Sequence, residues 1–341
     1  MKKLNISDID KLLLGNSWYA TGGGFPIQRA RNIFSSILTK KILILRTLDE
    51  FKDEDYLCVA SGVGSVKHTN VDITKKSTLG IRMLEKMTEH KIKGIVSGEI
   101  GLECLAAETA TKLSLPLVDT DMKGGRAAPE PPINMFSLNG KSLTPMVAIN
   151  TDGDITTLEG VSNPSKTEFF LRNFANLASG CFVAWCPRKA IDYKKNLVRG
   201  TISRAIRLGE LIKAKTNVDE ILRTVSGKNI FSGFITSIIE KEMKGFLIRK
   251  IKIKNGKDIA QVWVKNENLV VTVDQEVVVT CPDLITLINS KNNIGIHNSN
   301  LNINDAVTII ALPHSKKWHS AQGYELFSPK HFNLPFNVKK I

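Results

Sequence analysis

Four acidic residues and one arginine cluster where two apolar runs of this chain end. Residues 95–130 read IVSGEIGLECLAAETATKLSLPLVDTDMKGGRAAPE. Glu99 sits in a glycine loop behind the first run, and Asp119 and Asp121 close the second. Arg126 and Glu130 follow the Gly124-Gly125 turn. Carboxyl groups can take a proton from water or give one to a leaving group. A guanidinium can stabilise a developing negative charge. Asp119 and Asp121 are two apart, so they project to the same side of an extended strand. Like charges that close raise at least one pKa unless a cation intervenes, and Arg126 or a metal would be that cation. Carboxylate ligands suit a divalent metal, magnesium, calcium or manganese, with zinc if His68 joins. Each residue also has a structural reading. Glu99 could cap a helix, the Asp–Arg set could knit a loop, and Glu130 among Pro129, Pro131 and Pro132 could fix a hinge.

The elements that must hold these residues form a βαβ unit: an apolar strand, an amphipathic helix over about 102–114, and a second strand at Leu117-Val118. Ligands in open α/β sheets sit beyond the carboxyl ends of the strands. Two glycine loops occupy comparable places. Gly22, Gly23 and Gly24 lead into a helix with Pro26 at its first position, where free N–H groups attract an anion. A tight turn without a ligand is the alternative. Gly62 and Gly64 follow a strand over 56–60, and Lys67-His68 come next. Neither loop carries the lysine and Ser/Thr of a Walker loop or a full GxGxxG, which disfavours a dinucleotide. No GxSxG elbow is present.

Three stretches carry a family resemblance. GEIG, AAETATKLSLPLVDTD and GGRAAPE resemble the core of the S-methyl thiohydantoin desulfurase family. GNSWYATGGGFPIQRA (residues 15–30) is similar to its N-terminal glycine loop. KNENLV (residues 265–270) and PDLITLI (residues 282–288) are similar to its C-terminal signature. The resemblance spans nearly the whole chain. It implies an α/β/α sandwich with a largely parallel sheet, joined to a β-barrel. It also implies a hydrolase-like enzyme that replaces a sulfur substituent on a thiohydantoin- or hydantoin-type ring by water. On that reading Glu99 or Asp121 is the base and Glu130 the acid. Arg126, glycine-loop N–H groups or a metal would stabilise the negative charge. The chain departs from the family pattern at Leu102-Glu103-Cys104, at Lys67-His68 and at Ala128.

The remaining sequence sets the frame. The chain has 341 residues, 42% hydrophobic and 23% charged, which suits a two-domain globular protein. Its texture changes near residue 227, from helical periods to runs of β-branched residues with turns. That places an α/β domain at 1–227 and a β-rich domain at 228–341, with its tail expected to fold back on the first. Asn266 and Glu267, in a turn of the second domain, line the cleft if the two domains face each other. The net charge of +14 comes with only 6% aromatics and no stacking motif, so nucleic acid is disfavoured. Five scattered cysteines without a CxxC read as free thiols in a reducing cytoplasm. The expected partners are a small-molecule substrate, further copies of the chain in a homo-oligomer and a hydantoinase-type enzyme; no membrane is expected. Two non-enzymatic readings stand beside the enzyme: a non-catalytic subunit of a hydantoinase-type enzyme, and an anion or nucleotide binder built on residues 22–24.

Overall fold

A parallel block of four strands holds the first sheet together. A computed structural model describes residues 1–67 and 72–341, so His68 lies outside the described residues. The first sheet contains β1 (Lys2–Leu4), β2 (Leu43–Arg46), β3 (Tyr56–Val63), β4 (Ile92–Ser97), β5 (Leu117–Asp121), β6 (Met146–Asn150), β7 (Ile155–Leu158) and β8 (Cys181–Lys189). Their order is β1-β2-β5-β4-β3-β8-β6-β7. β2, β5, β4 and β3 are mutually parallel, and the strands added at either side run antiparallel. Every residue of β5 is buried. Both sheet faces are covered, so the central strands carry apolar residues on both sides, as at Ile95-Val96 and Leu117-Val118.

One face packs against α1 (Ile6–Tyr19), α2 (Ile27–Leu38), α3 (Ser77–Thr88) and α4 (Glu103–Lys112). The other carries α5 (Met135–Leu138), α6 (Pro164–Asn176) and α7 (Ala190–Asn196). Two later helices, α8 (Thr201–Lys213) and α9 (Val218–Thr224), join the first face, α8 lying along α1. Alternate residues of β3 serve the two cores, Cys58 and Ala60 one, Leu57 and Val59 the other. The α/β/α sandwich expected above is therefore present. Residues 135–138, a short apolar stretch, form a helical turn and no strand. The Asn134 side chain accepts from Phe136 N and Ser137 N, at 2.9 Å each, and this cap outweighs a short apolar run. The first helix is likewise capped by an asparagine, Asn5, in a box with Asp8.

After α9 the chain passes through Gly227 into a wholly antiparallel sheet. Its strands are β9 (Lys228–Met243), β10 (Phe246–Asn255), β11 (Asp258–Lys265), β12 (Glu267–Val273), β13 (Glu276–Thr280), β14 (Leu284–Asn289) and β15 (Ala306–Leu312). The order β13-β12-β11-β10-β9-β15-β14 curls into a half-barrel around Ile235, Val262, Val271 and Ile309. Register shifts along β10, β11, β12 and β15 supply the bends such curling needs.

The half-barrel docks directly on the sandwich. Asn268 N donates to Thr21 O at 2.9 Å, Asn298 N to Gly22 O at 2.8 Å, and Thr286 Oγ1 to Trp18 O at 2.6 Å. The segment after β15 returns across the first sheet through α10 (Ala321–Leu326), and Trp318 Nε1 donates to Lys123 O at 3.1 Å.

A buried arginine and a half-buried glutamate fasten this junction. Arg126 has no exposed surface. It donates to the carbonyls of Ala127, Pro282 and Asp283, and its guanidinium lies 4.4 Å from the Phe327 ring centroid. Glu130 accepts from Lys265 of β11 and, at 3.0 Å, from His331 of the tail. Burial alone would raise the Glu130 carboxyl, but the His331 hydrogen bond and the Lys265 charge hold it down to about 2.

Arg126→Met leaves three carbonyls without their charged donor, so urea unfolding should show a loss of about 3 kcal/mol; a loss under about 1 kcal/mol would remove the clamp from this account. Glu130 has a depressed folded pKa. Its contribution is present above the unfolded value of about 4.5 and fades as pH falls toward about 2. Glu130→Gln should flatten that acid limb of the stability curve, and an unchanged limb would contradict the assignment.

Candidate functional site

A cavity of about 90 Å³ opens at the carboxyl ends of β3 and β4, roofed by the half-barrel. That volume has room for roughly half a dozen waters at ~10–15 Å³ each, enough for a small ring and too little for a dinucleotide. Its polar floor is made of Glu99, Lys123 and Glu267, exposed by only 8%, 3% and 2%. Glu99 follows β4, Lys123 follows β5, and Glu267 begins β12.

Lys123 is the centre of this set. Its Nζ lies 3.2 Å from Glu99 Oε2 and donates to Ala128 O at 2.9 Å and Glu130 O at 2.8 Å. Glu99 Oε2 also accepts from Ala128 N at 3.2 Å. The loop 122–130 thus wraps its own lysine and presents it to a carboxylate. Buried ions persist only with such partners.

Glu267 is aimed by its neighbour. Lys265 of β11 pairs with Glu267 of β12, leaving Asn266 alone at the tip with φ of 57°. Asparagine tolerates that left-handed conformation. Asn266 is locked there, its N donating to Leu247 O at 2.8 Å and its Oδ1 accepting from Leu247 N at 2.9 Å. Burial raises the Glu267 carboxyl well above the usual carboxylate range, and nearby Glu99 adds to the rise against the pull of Lys123 and Arg126. Glu267 Oε2 has no partner. The walls are apolar, with Leu102, Leu105, Val183 and Trp185, and the Trp185 indole N–H is buried without a partner.

Of the residues singled out from sequence, Glu99, Gly24, Gly62, Gly64, Asn266 and Glu267 line this cavity. Gly22 and Gly23 do not; they face an adjoining hollow beside α1 and α2. The tight approach there has a packing cause. A Cβ on Gly23 would stand 2.0 Å from Glu267 Oε1, so glycine makes room for that carboxyl. An acid against the loop also argues against reading residues 22–24 as an anion cradle.

Asp119 and Asp121 do share one side of β5, but that side faces α8. Asp119 accepts from Ser203 N at 3.0 Å and from Ser203 Oγ, in the first turn of α8, where a carboxylate complements the helix dipole. Asp121 accepts from Lys123 N at 2.7 Å, and burial raises its carboxyl to about 6. Arg126 turns to the half-barrel and is not the cation between them. Glu130, with its carboxyl held ionised at neutral pH, lies outside the cavity lining and is a poor proton donor. The set brought together is therefore Glu99 with Lys123 and Glu267. Lys123 was missed in the sequence reading; its place between a strand-end aspartate and a double glycine was the available signal.

Glu103, where the chain departs from the family pattern, is buried at the start of α4. It accepts from Gly101 N and Asn16 Nδ2, at 2.8 Å each, and burial raises it to about 8. All five cysteines are free and buried, and burial pushes their thiols up, away from reactivity. Among the described residues no group of three or more His, Cys, Asp or Glu side chains could hold a metal ion. Among them, too, no helix is long and apolar enough to cross a membrane.

Comparison with known proteins agrees with this architecture. A crystal structure of a protein from Chromobacterium violaceum superposes with a TM-score of 0.83 at 20% identity, over 100% of this chain and 99% of that one, which shows a shared fold. No curated protein matches the chain. Residues 7–160 match the family described as S-Me-THD-like, N-terminal domain, and residues 162–341 match S-Me-THD-like, C-terminal domain. With both halves matched, the chain belongs to the S-methyl thiohydantoin desulfurase family.

Proposed function

We propose that the protein hydrolyses a sulfur substituent from a five-membered cyclic amide ring of the thiohydantoin type. The observation that carries this reading is the pairing, in one small cavity, of an ion-paired carboxylate, Glu99, with a carboxyl whose burial favours its protonated form, Glu267. A carboxylate in contact with a cation and a second carboxyl that favours its proton supply a base and an acid at the same pH.

The steps balance on those two groups. Water oxygen bonds to the ring carbon between the two nitrogens, and Glu99 takes the water's proton. The C=N electron pair moves onto the ring nitrogen, which Glu267 protonates. The adduct then collapses. Glu267 recovers a proton from the new hydroxyl as the carbonyl forms, the C–S bond breaks, and Glu99 hands its proton to the departing sulfur. The products are the oxygenated ring and a thiol, and both carboxyls return to their starting states. Lys123, 3.2 Å from Glu99 Oε2, orients that carboxylate for the first transfer and faces the negative charge that develops. The apolar walls exclude bulk water, which strengthens these electrostatic contacts.

The test is thiol release from an S-methyl thiohydantoin by the purified protein, run in ¹⁸O-water. Thiol and ¹⁸O-labelled ring should appear in equal amounts; a folded protein that releases none would sink the reading. Glu99→Gln and Glu267→Gln should each lower kcat by about 10²–10⁴. Because Glu267 acts first as an acid, the rate should be full below its raised pKa and fall as pH rises through it. Glu267→Gln should abolish that alkaline limb, and a variant that keeps the limb would assign the acid to another group.

A further inference from the structure

A second group of polar side chains lies behind the catalytic loop, on the α8 side, and the proposed reaction leaves it unused. The groove between α8, the Gly124–Gly125 turn and residues 312–315 has a volume of about 420 Å³. Tyr19, Arg204, Arg207 and His314 line it. Arg204 and Arg207 stand three apart on α8, so they share one face of the helix. The Arg204 guanidinium lies 5.1 Å from the Tyr19 ring centroid, and its Nη2 reaches Gly124 O at 3.3 Å. Its Nε is buried and has no partner. Arg207 is exposed, and among the described residues it joins no ion pair. His314, only 7% exposed, has no partner at Nε2.

We infer that this groove is a ligand site for a compact oxyanion, a phosphate or carboxylate group, gripped by Arg204 and Arg207 over Tyr19. The acids near it are Asp121, whose carboxyl sits beneath the turn and accepts from Lys123 N at 2.7 Å, Asp119, held by Ser203, and Asp283, whose Oδ1 accepts from His314 N at 2.9 Å and lies 2.9 Å from His319 Nε2. Among the described residues no carboxylate lines the groove itself, where the two arginines stand, and the chain's net charge of +14 adds to the field that draws an anion in. Planar guanidinium forks match the paired oxygens of carboxylate and phosphate. A neutral ligand would leave Arg207 without a counter-charge, and a cation would meet two like charges. The site is separate from the cavity of Glu99, yet the chain joins the two: Lys123 reaches into the first, and Gly124 and Gly125 form the wall of the second.

Thermal unfolding of the full chain tests this without any activity assay, so its outcome is independent of the desulfurase reading. Inorganic phosphate and malonate are titrated at constant ionic strength against a chloride control. Saturable protection by one of them is expected, and which one protects better identifies the group. Arg207→Ala, at an exposed position, should weaken that apparent affinity at least tenfold, and Arg204→Gln should do the same. Lys257→Ala, in the distant β10–β11 turn, should leave it unchanged. No protection beyond chloride overturns the site. So does equal protection in Arg207→Ala, or equal weakening in Lys257→Ala, which would show only a response to overall charge.

Discussion

A single buried ammonium organises the centre of this molecule. Lys123 has almost no contact with solvent, and an ion in that position must be compensated. Its compensation comes from Glu99 behind β4 and from the carbonyls of Ala128 and Glu130 in its own loop. Those demands explain why the loop doubles back so tightly after β5. Positive φ values at Gly124 and Gly125 reverse the chain, and the proline-flanked stretch brings two carbonyls onto the ammonium. Were Lys123 neutral, Glu99 would lack its counter-charge and the loop would lack a reason for its path.

The same electrostatic logic separates the acids into roles. Glu99 has a cation beside it. Glu267 has a carboxylate as neighbour and sees its cations at longer range, so burial dominates. Glu130 has two cationic partners and is pulled the other way. Chemically identical side chains within one junction thus span from firmly ionised to readily protonated. The cause is the company each keeps, set by which sheet supplies the partner. Two carboxyls in one cavity therefore require both sheets, since the loop after β4 delivers one and β12 the other.

Much of this was legible locally. The buried parallel strands announced themselves through short apolar runs, Ile95-Val96 and Leu117-Val118, and the α4 periodicity completed the βαβ unit. Its strand-end rule led directly to Glu99. Asn266 and Glu267 were accessible too, because a polar turn beside β-branched runs has few reasons to be buried. The alternation argument for Asp119 and Asp121 was sound as far as it went: they share a side. What it could not say was which side held the cavity, because α8, their actual partner, arrives some eighty residues later. Arg126 was misplaced for the same reason. Its acceptors at Pro282 and Asp283 lie more than 150 positions away, and no spacing rule reaches that far. The helix at Met135–Leu138 was hidden for a different reason, since one capping asparagine decided it.

The glycine loop at residues 22–24 shows that a close backbone approach can be filled by the protein's own groups. Glycines before a helix do permit close backbone approach, and here the approaching group is the protein's own. Glu267 fills the space beside Gly23, Asn298 packs against Gly22, and Gly24 meets Gly101 backbone to backbone. His297 holds the loop from the half-barrel, its Nε2 3.1 Å from Gly24 O, with burial driving the ring down to about 4 so that it stays neutral. A neutral imidazole and a carboxyl that favours its proton can sit against backbone carbonyls without a counter-ion. A bound phosphate could not. The loop is therefore a hinge plate between two sheets, and its worth to the cavity is that it fixes where the carboxyl of Glu267 points.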